Sequence, residues 1–175
     1  MIAGLRNAAL ELAIMVQPSG EQTSGIEFET VRSYTWWVAF TAAHPFARLK
    51  SITLERLAAE PLVVLRRKDY SEYHRVLQRI FAPVLAKPRG AVECDSASSL
   101  IMEVEAGHGV AIVTANLKLM GGERLLYRPL TGTTEIQFVG IARAAKGDVT
   151  PAGEKFCEIL RKLSRGATKW VEQQC

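Results

Sequence analysis

Residues 91–113, AVECDSASSLIMEVEAGHGVAIV, decide the fold, because strand, helix and strand succeed one another within one short run. Residues 91–94 are small or β-branched enough to suit a short strand. Asp95 and Ser96 follow with side-chain oxygens of the kind that cap a helix N-terminus. Ala97, Leu100, Ile101 and Val104 then fall at i, i+3, i+4 and i+7, the spacing of one buried helical face. Gly107 and Gly109 bracket the stop, and 110–113 is a continuous apolar run suited to a strand covered on both sides. Such a βαβ unit leaves a helix N-terminus, flanked by hydroxyls, at the carboxyl end of a strand. Open α/β sheets bind ligands at such places.

Working outward, 61–65 (PLVVL) reads as a buried strand, and Tyr73, Val76, Leu77, Ile80 and Phe81 make an amphipathic helical stripe. Upstream, 2–10 reads as the last turns of a helix, 11–16 as a short strand and 26–40 as one extended segment containing Trp36 and Trp37. Thr53 can cap a short helix that ends before Pro61. Downstream, 116–120 is a weak helical turn, 125–130 a strand, and 134–143 extended. Thr150 caps a closing helix with Pro151 in its first position and Phe156, Ile159, Leu160 and Leu163 along one face. Strands alternating with helices imply an α/β architecture with mainly parallel sheet. The extended segments on either side of the central block suggest two lobes joined by two crossing strands, with a binding cleft between them. The boundaries expected are 1–58 with 132–175 for the first lobe and 59–131 for the second.

The 175 residues are 48% hydrophobic and 23% charged, which suits a globular protein, and the net charge of +4 is too scattered to mark a nucleic-acid track. No apolar run reaches transmembrane length and no secretory leader is recognisable, so a cytoplasmic address is expected. Cys94, Cys157 and Cys175 form neither a disulfide framework nor a zinc motif, and His44, His74 and His108 are dispersed. Nucleophile elbows, phosphate loops and metalloprotease motifs are missing, so no enzyme, cofactor or metal site is expected.

Four phrases in order, LRNAALELAI, HPFARLKSITLERLAAEPLVVL, DSASSLIMEVEAGHGVAIV and TPAGEKFCEIL, resemble the effector-binding domain of LysR-type transcriptional regulators. The resemblance runs over nearly all of residues 3–165. It implies an α/β, two-lobed fold of the type 2 periplasmic-binding-protein kind. It also implies a small-molecule effector in the cleft, self-association as a dimer or higher oligomer, and no membrane contact. DNA would be reached only through the family's N-terminal winged helix-turn-helix, for which these residues have no counterpart. The strand–helix–strand that usually precedes LRNAALELAI is likewise unmatched, so an N-terminally truncated first lobe is expected. That would bare sheet edge and apolar helix surface, inviting self-association. Thr114 departs from the proline common after the GHGVAIV strand.

Ligand-binding candidates follow. Ser96 and Ser98, with Ser99, open the central helix. They either cap it or help its N–H groups hold a carboxylate. Arg66, Arg67 and Lys68 follow the PLVVL strand and form either a solvated loop or a charge-assisted grip on an anion. In the resembling family this loop often contributes to the cleft. Arg32 matches an arginine of family members that bind aromatic acids, or pairs with Glu27 or Glu29. Trp36 and Trp37 must face opposite ways from one strand. Cys94 stands where a helix N-terminus would favour a thiolate, as in a redox sensor, but with no second cysteine near in sequence a strand-end cysteine is more often an inert buried residue. Competing readings are a transport-type solute-binding protein, an oligomerisation module that forms mixed assemblies with intact relatives, and a small α/β enzyme.

Overall fold

The computed structural model describes residues 1–84 and 92–172; Ala91, expected in a strand, lies outside them. In chain order the elements are α1 (Ile2–Arg6), β1 (Ala13–Val16), β2 (Ile26–Tyr34), β3 (Trp36–Phe40), β4 (Ile52–Thr53), α2 (Leu54–Ala58), β5 (Val64–Leu65) and α3 (Ser71–Phe81). There follow β6 (Glu93–Cys94), α4 (Ala97–Glu105), β7 (Ala111–Thr114), α5 (Lys118–Gly121), β8 (Leu126–Thr131), β9 (Gln137–Ala144) and α6 (Pro151–Glu172). The chain divides into two compact units: Met1–Ser33 with Gln137–Cys175, and Tyr34–Ile136. The two crossings therefore fall at 33/34 and 136/137, not at 58/59 and 131/132. Residues 34–58 belong with the second unit because β3 pairs with β7 and β8, and β4 with β8.

In the first unit the strands lie in the order β1-β9-β2, and β1 runs antiparallel to β9 from Ala13 opposite Ala142 to Val16 opposite Val139. Leu5, Ala13 and Ala142 are buried together, with Met15, Ile26 and Phe28 packed on them. Helix α1 stops at Arg6, short of the expected span. Ala8 takes a left-handed φ of 57°, which ends the helix and leaves Ala9 exposed. Thr150 caps α6 as expected, its hydroxyl accepting from Gly153 N at 3.2 Å, while the Glu11 carboxylate accepts from the Thr150 N–H and hydroxyl.

In the second unit β3 lies between β7 and β8, antiparallel to both, with β4 parallel to β8. Strands β5 and β6 pair in parallel, Leu65 opposite Cys94. A parallel bridge between Leu62 and Val110 links this pair to the chain entering β7. The expectation of a mainly parallel sheet is thus overturned. Strand β3 returns between its neighbours instead of following a right-handed crossover, so the sheet is mixed.

Alternation along β3 divides the core. Trp36, Val38 and Phe40 pack with α2 and α3, whereas Ala39 and Trp37 face α4. The two tryptophans do point opposite ways. Each large aliphatic side chain taken fully out of water here stabilises the fold by about 1.5–3 kcal/mol; Ile52, Leu57, Ile80 and Val104 are all at 0% exposure. The single extended run expected over 26–40 breaks at Thr35, where the chain changes unit after Ser33.

Candidate functional site

The site is built at the carboxyl ends of β5 and β6. Two glycines position its helix. Gly107, with φ of 81°, supplies the left-handed turn that ends α4. At Gly109 a Cβ would stand 2.4 Å from the Pro61 carbonyl oxygen, so only glycine lets β7 approach the start of β5. Val63 N then donates to Val110 O at 2.8 Å, and Arg66 N to Cys94 O at 2.7 Å. That ladder sets Arg66 beside the Asp95–Ser96 turn.

Ser96 is the N-cap of α4, its Oγ accepting from Ser99 N at 3.2 Å. The Ser99 hydroxyl donates to Asp95 Oδ1 at 2.8 Å. Its single proton is thereby used, so in the 2.8 Å contact between the two serine hydroxyls Ser96 is the donor. The Ser96 hydroxyl is fully committed to the cap. What α4 still offers is the N–H groups of Ala97 and Ser98, which have no partner within the helix.

The electrostatics are mixed. The hydrogen bond from Ser99, backed by the Ser96 hydroxyl behind it and the Arg66 charge, holds the exposed Asp95 carboxyl below its usual range. Among the described residues Arg66 makes a loose ion pair with Asp69, at 3.7 Å, with 38% of its side chain exposed. Most of its five N–H donors therefore remain available to a carboxylate. Cys94 fits the inert reading: burial first, then the charges of Glu103 and Asp95, push its thiol up, so no thiolate is favoured.

Three α3-side contacts not expected from the sequence brace the site. Tyr70 donates its hydroxyl to Asp95 O at 3.1 Å, tying the basic turn to the α4 cap. The His74 imidazole contacts Leu65 O, and Tyr73, pushed above its ordinary range by burial, donates to Ile112 O at 3.1 Å. Nothing in the sequence singles out Tyr70, which stands three residues before the stripe that begins at Tyr73.

Of the other candidates, Arg67 and Lys68 are exposed in the turn after Arg66, and Ser98 is exposed on the first turn of α4. Arg32 lies half-buried on β2 and so belongs to the first unit, where Glu27 pairs with Arg143 and Glu29 with Arg161. Trp37 donates Nε1 to Thr35 Oγ1 at 3.1 Å, whereas the buried Trp36 Nε1 has no partner among the described residues. Glu103 bonds His108, and Glu105 bonds Arg124; the two glutamates do not share a face. Among the described residues no group of His, Cys, Asp or Glu could hold a metal ion, and no helix is long and apolar enough to cross a membrane.

The LysR substrate binding domain model matches residues 1–165. The HTH-type transcriptional regulator TtuA of Agrobacterium vitis is 27% identical over 153 residues, which cover 84% of this chain and 49% of that protein. The chain thus spans about half the length of this relative. The effector binding domain of QuiR in complex with shikimate aligns with a TM-score of 0.78 at 19% identity, over 94% of this chain and 77% of that one. The regulatory domain of Synechocystis PCC6803 CcmR in complex with 2-PG gives 0.81 at 16%, over 93% and 77%. The BenM effector binding domain with its effector benzoate gives 0.80 at 18%, over 95% and 74%. At these identities the solved structures speak to the fold.

Proposed function

The chain belongs to the LysR substrate binding domain family, and from that premise we propose that it senses a small carboxylate effector at the carboxyl ends of β5 and β6. The observation that carries the reading is the juxtaposition of Arg66, one residue beyond β5, with the Asp95–Ser96 turn that leads from β6 into α4, where the Arg66 charge is felt by Asp95. An oxyanion there would take parallel hydrogen bonds from Arg66 and the N–H groups of Ala97 and Ser98. Ser96 acts as the cap that aims those groups. Ser98, Arg67 and Lys68 contribute through position and charge at the rim. Shikimate and benzoate, named with two of the structural neighbours, both carry a carboxylate, which favours this class of effector.

The Asp95 carboxylate opposes an anion, so the site would suit a ligand whose hydroxyl or ring edge meets Asp95 while its carboxylate meets Arg66. The reading assigns the chain no catalysis. It works in the cytoplasm as part of a regulator whose DNA contacts lie in another module.

Self-association is favoured by a separate observation. Strand β1 is an edge of its sheet, with Ile14 48% and Val16 39% exposed, and α6 exposes Phe156, Ile159 and Leu163. Light scattering at high concentration should therefore give a mass above that of a monomer.

The effector reading is tested by thermal unfolding against a panel of aromatic and aliphatic carboxylates, because a ligand that binds only the folded state raises Tm by mass action. The expected result is a saturable rise with at least one acid, lost in Arg66→Met. No rise with any acid of a broad panel refutes it.

A further inference from the structure

We propose that the first unit carries a second ligand site, for an amino acid-sized zwitterion with an apolar side chain, in the cavity between β2, β9 and α6. The proposal uses no residue of the second unit and does not rest on the effector reading. The cavity is about 310 Å³, at the small end of the range that ligand pockets occupy, ~300–1,000 Å³. Its floor is apolar: Ile141 and Cys157 are buried, while the Phe28 side chain turns to the other face of the sheet, against Leu5 and Ala142, and Phe28 meets the cavity only at the strand. Burial pushes the Cys157 thiol up, so the floor is uncharged at neutral pH.

The rim decides the class of ligand. Glu27 and Glu29, two apart on β2, point to the same face, and they meet Arg143 from β9 and Arg161 from α6. The four charges sum to zero, so the cavity favours neither a net anion nor a net cation. The two ion pairs differ in kind. Arg161 grips both oxygens of Glu29 at 2.6 Å, a closed bidentate pair whose hydrogen bonds hold Glu29 below its usual range. Arg143 places both its Nε and a terminal nitrogen on the same Glu27 oxygen at 2.9 Å, and its reach to Glu154 is 3.8 Å. The Arg143–Glu27 pair is therefore the one that can open.

A simple carboxylate inserted there would satisfy Arg143 but leave Glu27 facing a like charge; a simple amine would do the reverse. A zwitterion extends the pair in line. Its carboxylate meets Arg143, its ammonium meets Glu27, and its side chain covers Ile141 and Cys157. Every charge stays compensated, which is the condition for removing charges from water without a large cost.

The test is titration of the full 175-residue chain with L-phenylalanine and L-leucine to about 10 mM, well past the Kd of a millimolar ligand. Backbone amide resonances locate the binding. The expected result is saturable shifts at Phe28, Ile141, Arg143 and Cys157. On the unaltered chain, 3-phenylpropanoate and phenethylamine, which carry one charge each, should bind more weakly by up to about fivefold, the weight of one half-exposed charge pair. Glu27→Gln should weaken L-phenylalanine by a similar factor. The proposal is overturned by absence of shifts at these residues, by shifts centred instead on Arg66 and Ser96–Ser99, or by equal binding of 3-phenylpropanoate.

Discussion

Replacing Ser96 by alanine separates a capping hydroxyl from a ligand-binding one. In the folded chain Ser96 Oγ accepts from Ser99 N at 3.2 Å and donates its only proton toward Ser99 Oγ. Ser96→Ala leaves the Ser99 N–H without that acceptor and removes the hydroxyl that backs the Ser99 bond to Asp95. Loss of a serine N-cap costs about 1 kcal/mol within a range of ~0.5–2. Ser96 is half-buried, so water can partly replace the lost bond, and the middle of that range applies. For a domain of this size about 1 kcal/mol lowers Tm by roughly 2–4 °C. The assay is calorimetry of the two proteins, with and without a saturating effector. The Ala97 and Ser98 N–H groups and Arg66 survive the change, so effector affinity should fall only modestly. Unchanged Tm together with abolished effector binding would refute the reasoning, because the hydroxyl would then be serving the ligand and not the helix.

Arg66→Met should weaken effector binding by about tenfold or more, as for loss of hydrogen bonds to a charged group, while leaving Tm nearly unchanged because the Asp69 pair it breaks is long and half-exposed; calorimetric titration and melting check both halves. Asp95 has a folded-state pKa below its ordinary value, so its stabilising bonds are fully present above the unfolded pKa of about 3.9 and are lost as pH falls through the lower folded value. Asp95→Asn should therefore melt below the unaltered chain near pH 7, with the gap closing below about pH 4; a gap that widens on acidification contradicts the assignment. The same variant should bind a carboxylate effector more tightly, having lost the like charge beside the site. Ile80→Ala, at 0% exposure between α2 and the β3 sheet, should cost about 2–5 kcal/mol in urea unfolding.

Much of this was legible in the residues. The cap at Ser96, the stripe from Tyr73 to Phe81, the stop at Gly107 and the opposed tryptophans follow from local geometry that a one-dimensional pattern encodes. Strand direction does not follow in that way. The VAF and AIV runs of β3 and β7 have the same composition whether they pair parallel or antiparallel, and only the path of the chain through β3 decides. The lobe boundary was missed for the same reason, since β3 reads as a continuation of β2. At the site, sequence placed Arg66 and Ser96 each at a strand end. That these two strands are neighbours, and that Tyr70 ties them together, depends on the ladder between 61–66, 92–94 and 110. At Cys94 the inert reading prevails over the thiolate because burial outweighs the helix terminus, and burial is a property of packing.

The passage of the chain out of one unit and back again has a kinetic consequence. During synthesis, 34–136 leaves the ribosome as an uninterrupted segment with its own core, whereas β1 must wait for β9, beyond that whole segment, before Ala13 can meet Ala142. Loop closure over such a span is slow when the intervening chain is open and easier once it has condensed. The inserted unit should therefore acquire hydrogen-exchange protection first, with the β1–β9 edges protected last.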